Sequence, residues 1–268
     1  MIQAAVQRGE ERMAIQSEKD LLQLKKRFQD LARRSYEQNI FTFTPMLGLA
    51  EQTVFREAEP TLRYAGYALY GGRENAERVM IRFGNEKDLG YAEDFPISLV
   101  HIRPLQAKFS DDFTHRDFLG ALMHLGIERD LLGDILVGEK QGYLFCQTSI
   151  VDFLCRELTQ VKHTTMICEP AASVKEYQET PPVPETVLVA SERLDALIAQ
   201  VYHISRSQSI ELFRKKQVFV SGRLCEDNSR DAKPGEVISV RGYGKFIYDG
   251  IDHTTKKGKQ SVNLRVYK

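Results

Sequence analysis

Residues 204–224, ISRSQSIELFRKKQVFVSGRL, decide how the last third of the chain is read. Ser205 followed by Gln208 has the spacing of a capping box, in which two residues satisfy each other's unpaired backbone N–H groups at a helix start. Ile210 and Phe213 then point inward, which leaves Arg206, Arg214, Lys215 and Lys216 on the rim. The helix runs into a β-branched strand, VFV, and a Ser-Gly turn, and KPGEVISVRGYGKFIY returns as a hairpin through Pro234-Gly235. Upstream, SERLDALIAQVYHI gives another helix, with Ser191 as its cap, an apolar stripe of Leu194, Leu197, Ile198 and Val201, and Arg193 off that stripe.

These cations stand in a chain whose 37 Lys and Arg balance 37 Asp and Glu. The balance is between regions: residues 187–268 carry 15 basic against 9 acidic residues, and residues 1–186 carry 22 against 28. Steering depends on local charge, so the basic part implies a polyanionic partner. At 268 residues the chain has room for two domains or three small ones. No apolar run approaches the roughly 20 residues of a membrane span. The opening MIQAAVQRGEERMAIQSEKD lacks a hydrophobic signal core, so a cytoplasmic location is expected. Cys146, Cys155, Cys168 and Cys225 form no C-x-x-C pair and have no His at ligand spacing, which argues for reduced, packed thiols and no metal site.

The fold class expected is α+β, in three parts. Residues 1–76 read as a helical N-terminal region: Leu21, Leu24, Phe28 and Leu31 recur at helical spacing behind a Ser17 cap, and Thr44-Pro45 can open a second helix. Gly71-Gly72 is a turn before a first strand. Residues 77–176 order as β-β-α-β-β-α-β, with VMIRF and SLVHIRPL as the first two strands, a pattern of the ferredoxin or RNA-recognition-motif type. Tyr143 and Phe145 in GYLFCQ alternate as base-stacking aromatics do, and as core aromatics of a hairpin do. Residues 177–186, with Pro181, Pro182 and Pro184, read as an extended linker, and residues 187–268 as the last domain.

Within that last domain the ordered series R-L-D, S-R-S-Q, a basic helix end, V-x-V-x-G, P-G-E-x-I-S-V and R-G-Y-G-K-F resembles the S-four RNA-binding domain, named after small-subunit ribosomal protein four. The resemblance implies an RNA-facing surface of Arg193, Ser205, Arg206, Gln208, Arg214, Lys215, Lys216 and Arg223, with Arg241 and Lys245 at its margin. It gives Asp195 the task of bracing Arg193. Two positions depart from the pattern: Gln217 stands where a helix-ending Gly is common, and Ser221 stands where Asn precedes Gly222. Together with YALYGGRENAERVMIRFG and VHIRPLQAKFSDDFTHRDFLGALMHLGIERDLLGDILV, the domain resembles the YlmH family over residues 40–268. That resemblance implies a monomeric, cofactor-free, non-enzymatic protein of the cytoplasm. Its implied partners are structured RNA (rRNA, with tRNA as a further candidate) and the large ribosomal subunit. The implied role is rescue or quality control of stalled translation, with a link to cell division.

Three motifs look catalytic. HRD at 115–117 lacks the Asn a kinase loop needs five residues after its Asp, and Thr114 with Asp117 is better read as a helix cap. His115 and Arg116 would then be exposed on its first turn. HLGI at 124–127 has no accompanying Rossmann unit, so the class I aminoacyl-tRNA synthetase reading fails. RLD at 193–195 is shared with pseudouridine synthases but sits here inside the RNA-binding module. An RNA-modifying enzyme that docks its substrate through the S-four domain is the alternative function.

Overall fold

A computed structural model describes residues 18–174, 181–255 and 258–267. Ser17, the opening stretch before it and the start of the linker at residues 177–180 lie outside the described residues. The backbone packs as two units, one of Leu21–Gln178 and one that contains Glu179–Lys268. Helices and strands mix in both, so the α+β class holds.

The first unit opens with α1 (Glu18–Gln38), whose inward stripe centres on the fully buried Phe28. Phe28 meets Phe55 of α2 (Leu49–Ala58) edge to face, with ring centroids 5.6 Å apart. The region is less helical than its sequence suggests, because β1 (Thr42–Phe43) and β2 (Tyr67–Tyr70) flank β3 (Met80–Phe83) in a small antiparallel sheet. The Thr44 amide donates to Ile81, and its hydroxyl accepts from the Ile81 amide. Residues 44–45 are thereby tied to β3, and α2 starts four residues later than Thr44-Pro45 predicts, behind Gly48. VMIRF therefore belongs to this small sheet and not to the central one. A short helix, α3 (Glu86–Leu89), follows it.

The central sheet is built from β4 (Ile97–Pro104), β5 (Leu132–Gly138), β6 (Gln141–Gln147), β7 (Gln160–Val161) and β8 (Thr164–Ala171), in the order β5-β6-β4-β8-β7. With α4 (His115–His124) and α5 (Val151–Glu157) on one face, this is the β-α-β-β-α-β arrangement of ferredoxin-type domains. Val100, Leu144 and Cys146 point to the helices, and burial pushes the Cys146 thiol up to about 12, the behaviour of a packed, inert thiol. Tyr143 and Phe145 point the other way and are buried too. His101 stacks on Tyr143 at 4.5 Å, and Gly72 lies over Phe145 so closely that a Cβ there would stand 2.2 Å from the ring. The two aromatics are core, and RNA cannot stack on them. Gly71-Gly72 is thus the lid of this face, and the segment behind it is anchored by Asp134. That buried carboxylate accepts from the amides of Glu77 (2.9 Å) and Arg78 (3.0 Å) and pairs with Arg73. The Arg78 guanidinium in turn donates to the carbonyls of Met46, Arg129 and Leu132.

The second unit holds one antiparallel sheet of β9 (Val183–Val189), β10 (Val218–Val220), β11 (Arg223–Leu224), β12 (Val237–Val240), β13 (Gly244–Thr254) and β14 (Gln260–Tyr267), ordered β11-β10-β12-β13-β14-β9. Helices α6 (Leu194–Val201) and α7 (Arg206–Arg214) cover one face, through a core that includes Leu194, Leu197, Phe213 and Phe246. Strand β9 starts inside the stretch read as linker. As an edge strand it tolerates Pro184, which pairs with Arg265 where a missing N–H costs little. Ser191 does not cap α6. Residues 192–194 pair with 230–232, through Leu194 N to Arg230 O (2.9 Å) and Ala232 N to Glu192 O (3.0 Å), and Arg193 occupies the cap position.

Both departures from the family pattern sit in turns that form. Helix α7 ends with Gln217 N donating to Leu212 O (3.0 Å) and Lys216 N to Phe213 O (2.9 Å), the two bonds of a Schellman motif. The left-handed residue that the motif requires is Lys216 (φ 56°), so Gln217 itself needs no glycine. Ser221 (φ 46°) and Gly222 (φ 79°) give β10 and β11 a two-residue turn of type I′. A side chain in the left-handed region costs about 1 kcal/mol. Lys216→Gly is therefore expected to stabilise the unit against urea by about that much, and Ser221→Asn by less. A loss of stability in Lys216→Gly would mean that the helix end is held in some other way.

Candidate nucleic-acid interface

The cations that the sequence singles out fall into separate groups. The first is built on Asp195, which has 0% exposure in the first turn of α6. Three side chains converge on its carboxylate. Arg193 donates through Nε at 3.2 Å and Nη2 at 2.9 Å. Arg206 donates through Nε at 3.3 Å and Nη2 at 3.1 Å. Asn228 adds its side-chain amide at 3.1 Å, and the Asp195 amide donates to the Asn228 carbonyl at 3.2 Å. Burial alone would raise the carboxyl pKa, but the hydrogen bonds from Arg193, Arg206 and Asn228 outweigh it and hold the group below its ordinary value. Asp195 thus braces both arginines, where the sequence assigns it only Arg193. Two guanidiniums share this one carboxylate, and Asp227 and Asp231 also act on Arg193. The side chains remain 36% and 49% exposed, so each fork has an edge turned outward.

Ser205 and Gln208 make the capping box expected of them: Ser205 Oγ accepts from Gln208 N at 3.2 Å, and Gln208 Oε1 accepts from Ser205 N at 2.9 Å. Their first duty is to start α7 and so to place Arg206 against Asp195. Inside the helix, Ser209, Leu212 and Phe213 are buried, while Ile210 is only partly so.

The second group lies at the other end of α7, about 12 Å along the axis from Arg206. Arg214, Lys215 and Lys216 are exposed there. Arg214 approaches Glu211 at 3.5 Å and Lys216 approaches Glu226 at 3.2 Å. Such exposed pairs are worth well under about 1 kcal/mol and exchange readily for a phosphate. Arg241 joins this group, because its amide donates to Gln217 O at 2.9 Å and its guanidinium lies 4.7 Å from the centre of the Phe219 ring. Arg223 is half-buried on β11, across from Val220. Lys245 lies apart on β13, its ammonium 4.2 Å from the centre of the Tyr267 ring. Asn228 was not legible as a site residue, since 33 residues separate it from Asp195 and no local pattern marks it.

The catalytic-looking HRD stretch is the start of α4. Asp117 accepts from the Thr114 amide at 2.7 Å and pairs with Lys162 at 3.0 Å, which engages it in capping. His115 and Arg116 are exposed. Among the described residues no group of His, Cys, Asp and Glu has the arrangement of a metal site, and no helix is long and apolar enough to cross a membrane.

Comparison with known proteins defines the class first. Residues 91–175 match a family model described as the putative RNA-binding domain in YlmH. The chain is also 31% identical over 208 residues to the ribosome-associated protein quality control protein P2 of Bacillus subtilis, an overlap of 74% of this chain and 77% of that protein. The chain belongs to the YlmH family. Among solved structures, the cell division protein ylmH from Streptococcus pneumoniae aligns with 58% of this chain and 93% of its own, at 18% identity and a TM-score of 0.46.

The Asp195 cluster has a pH signature. A carboxyl held below its unfolded value of about 3.9 adds stability above that value and loses it as the pH falls through the folded one. Asp195→Asn is expected to be less stable than the parent by roughly 1–3 kcal/mol at pH 7. The gap should close below about pH 4 in paired urea titrations. A gap that stays constant to pH 3 would show that the carboxylate charge is not what the arginines require.

Proposed function

We propose that this protein is a non-enzymatic RNA-binding protein that docks on the large ribosomal subunit and acts in rescue or quality control of stalled translation. The observation that carries the reading is the pair Arg193 and Arg206, fixed by one buried carboxylate with their outer edges open. A guanidinium fixed in advance loses little freedom on meeting a phosphate, so the pair favours a rigid, structured RNA over a random polyanion. Arg214, Lys215, Lys216 and Arg241 supply a second contact about 12 Å away along α7, which sets the protein's register on the RNA backbone. The resemblance of residues 187–268 to the S-four domain, the name of the Bacillus subtilis relative and the description of the domain matched at residues 91–175 all support the same reading. Ribosomal RNA is the principal ligand, with tRNA on the same subunit as a further one.

Equilibrium binding to isolated large subunits over 50 to 200 mM salt tests this. Affinity is expected to fall steeply with salt, and each cation removed should lower the log–log slope by about 1. Arg206→Ala should weaken binding and Lys215→Ala should reduce the slope. Binding that ignores both salt and Arg206→Ala would refute the proposal.

A further inference from the structure

Helices α6 and α7 cover one face of the second unit's sheet, and the other face has a composition that solvent alone does not explain. Register places Phe219, Ser239, Lys245 and Tyr267 in one row across β10, β12, β13 and β14. All four are half-exposed, while their chain neighbours Val218, Val240, Phe246 and Val266 are buried in the core. A sheet face turned only to water carries polar residues by alternation. Here the outward positions include Phe219, Val237, Ile247 and Tyr267. Each aromatic ring has a cation against it, Arg241 at 4.7 Å and Lys245 at 4.2 Å. Strands β10, β12 and β14 contain no carboxylate. On β13, Asp249 is taken up by Arg265 through two bonds of 2.8 Å.

Flat rings beside cations suit a ligand that has planar apolar faces and negative charge in the same repeat. Unpaired nucleotides have this chemistry. A duplex hides its base faces, and an acidic peptide has none to stack. We infer that the outward face of the C-terminal sheet is a binding site for single-stranded RNA, with Phe219 and Tyr267 as stacking platforms and Arg241 and Lys245 as phosphate partners. The rings stand three strand spacings apart, about 14 Å, so they engage separate nucleotides of one extended strand. This site rests on the reading of the unit as an RNA binder but uses the face opposite the helices. Arg241, at the end of α7 and over Phe219, touches both surfaces.

Fluorescence anisotropy of a labelled 12-nucleotide oligouridine with the full-length protein tests the site, with large-subunit binding measured in parallel. The double variant Phe219→Ala/Tyr267→Ala should lose at least about tenfold in oligouridine affinity. Phe219→Tyr/Tyr267→Phe should retain it, and this variant covers the case in which the alanine protein fails to fold. Arg206→Ala should weaken subunit binding by a larger factor than oligouridine binding. No oligouridine binding by the wild type while subunit binding stands, or equal binding by the wild type and a folded alanine variant, overturns the inference. Loss of both activities in the wild type would overturn the RNA-binding reading itself.

Discussion

One buried carboxylate organises the C-terminal unit. Asp195 has no exposure to water, so it keeps its charge only because Arg193, Arg206 and Asn228 take the place of that water. Each partner comes from a different segment: the approach to α6, the first turn of α7 and the loop after β11. The interaction that stabilises the charge therefore also fixes the angle between the helices and pins a loop against them. Removing either arginine would leave a buried negative charge short of a partner, which costs far more than an exposed ion pair returns. The cluster thereby ties the fold of the unit to the placement of two partly exposed guanidiniums.

The same economy appears in the first unit, with a different outcome. Asp134 and Arg78 fasten the Gly71–Arg78 segment onto β5, and Gly72 closes over Phe145. Burial and the charge of Arg78 hold Arg129 down at about 10, partly offset by Asp134, and it donates to the Leu132 and Gly133 carbonyls. The arginines of this segment are thus spent on packing.

How much the sequence disclosed follows from how local each signal is. The capping boxes at Ser205 and Thr114, the stripe Leu194 to Val201 and the hairpin 132–147 depend on residues three or four apart, or on one tight turn, and all are found in place. Strand β9 was hidden because its prolines read as linker, and edge position is a property of the whole sheet. The small sheet around β3 was hidden because β1 has two residues and pairs across nearly forty positions. Charge and family pattern marked Arg193 and Arg206 in the sequence, but the second arm of Asp195, to Arg206, is set by the packing of α6 on α7. The left-handed end of α7 falls on Lys216, one residue before the position the family pattern marks at Gln217.

The central claim is that the arginines held by Asp195, with the cations at the end of α7, face ribosomal RNA. A crosslink map of the wild-type protein bound to large subunits, with protein and RNA sites read by mass spectrometry and reverse transcription, tests it most directly. The account predicts crosslinked peptides that span Arg193, Arg206 and Arg214–Lys216, joined to a restricted set of large-subunit nucleotides. Crosslinks confined to residues 21–174, with the α6 and α7 peptides unmodified, would contradict it.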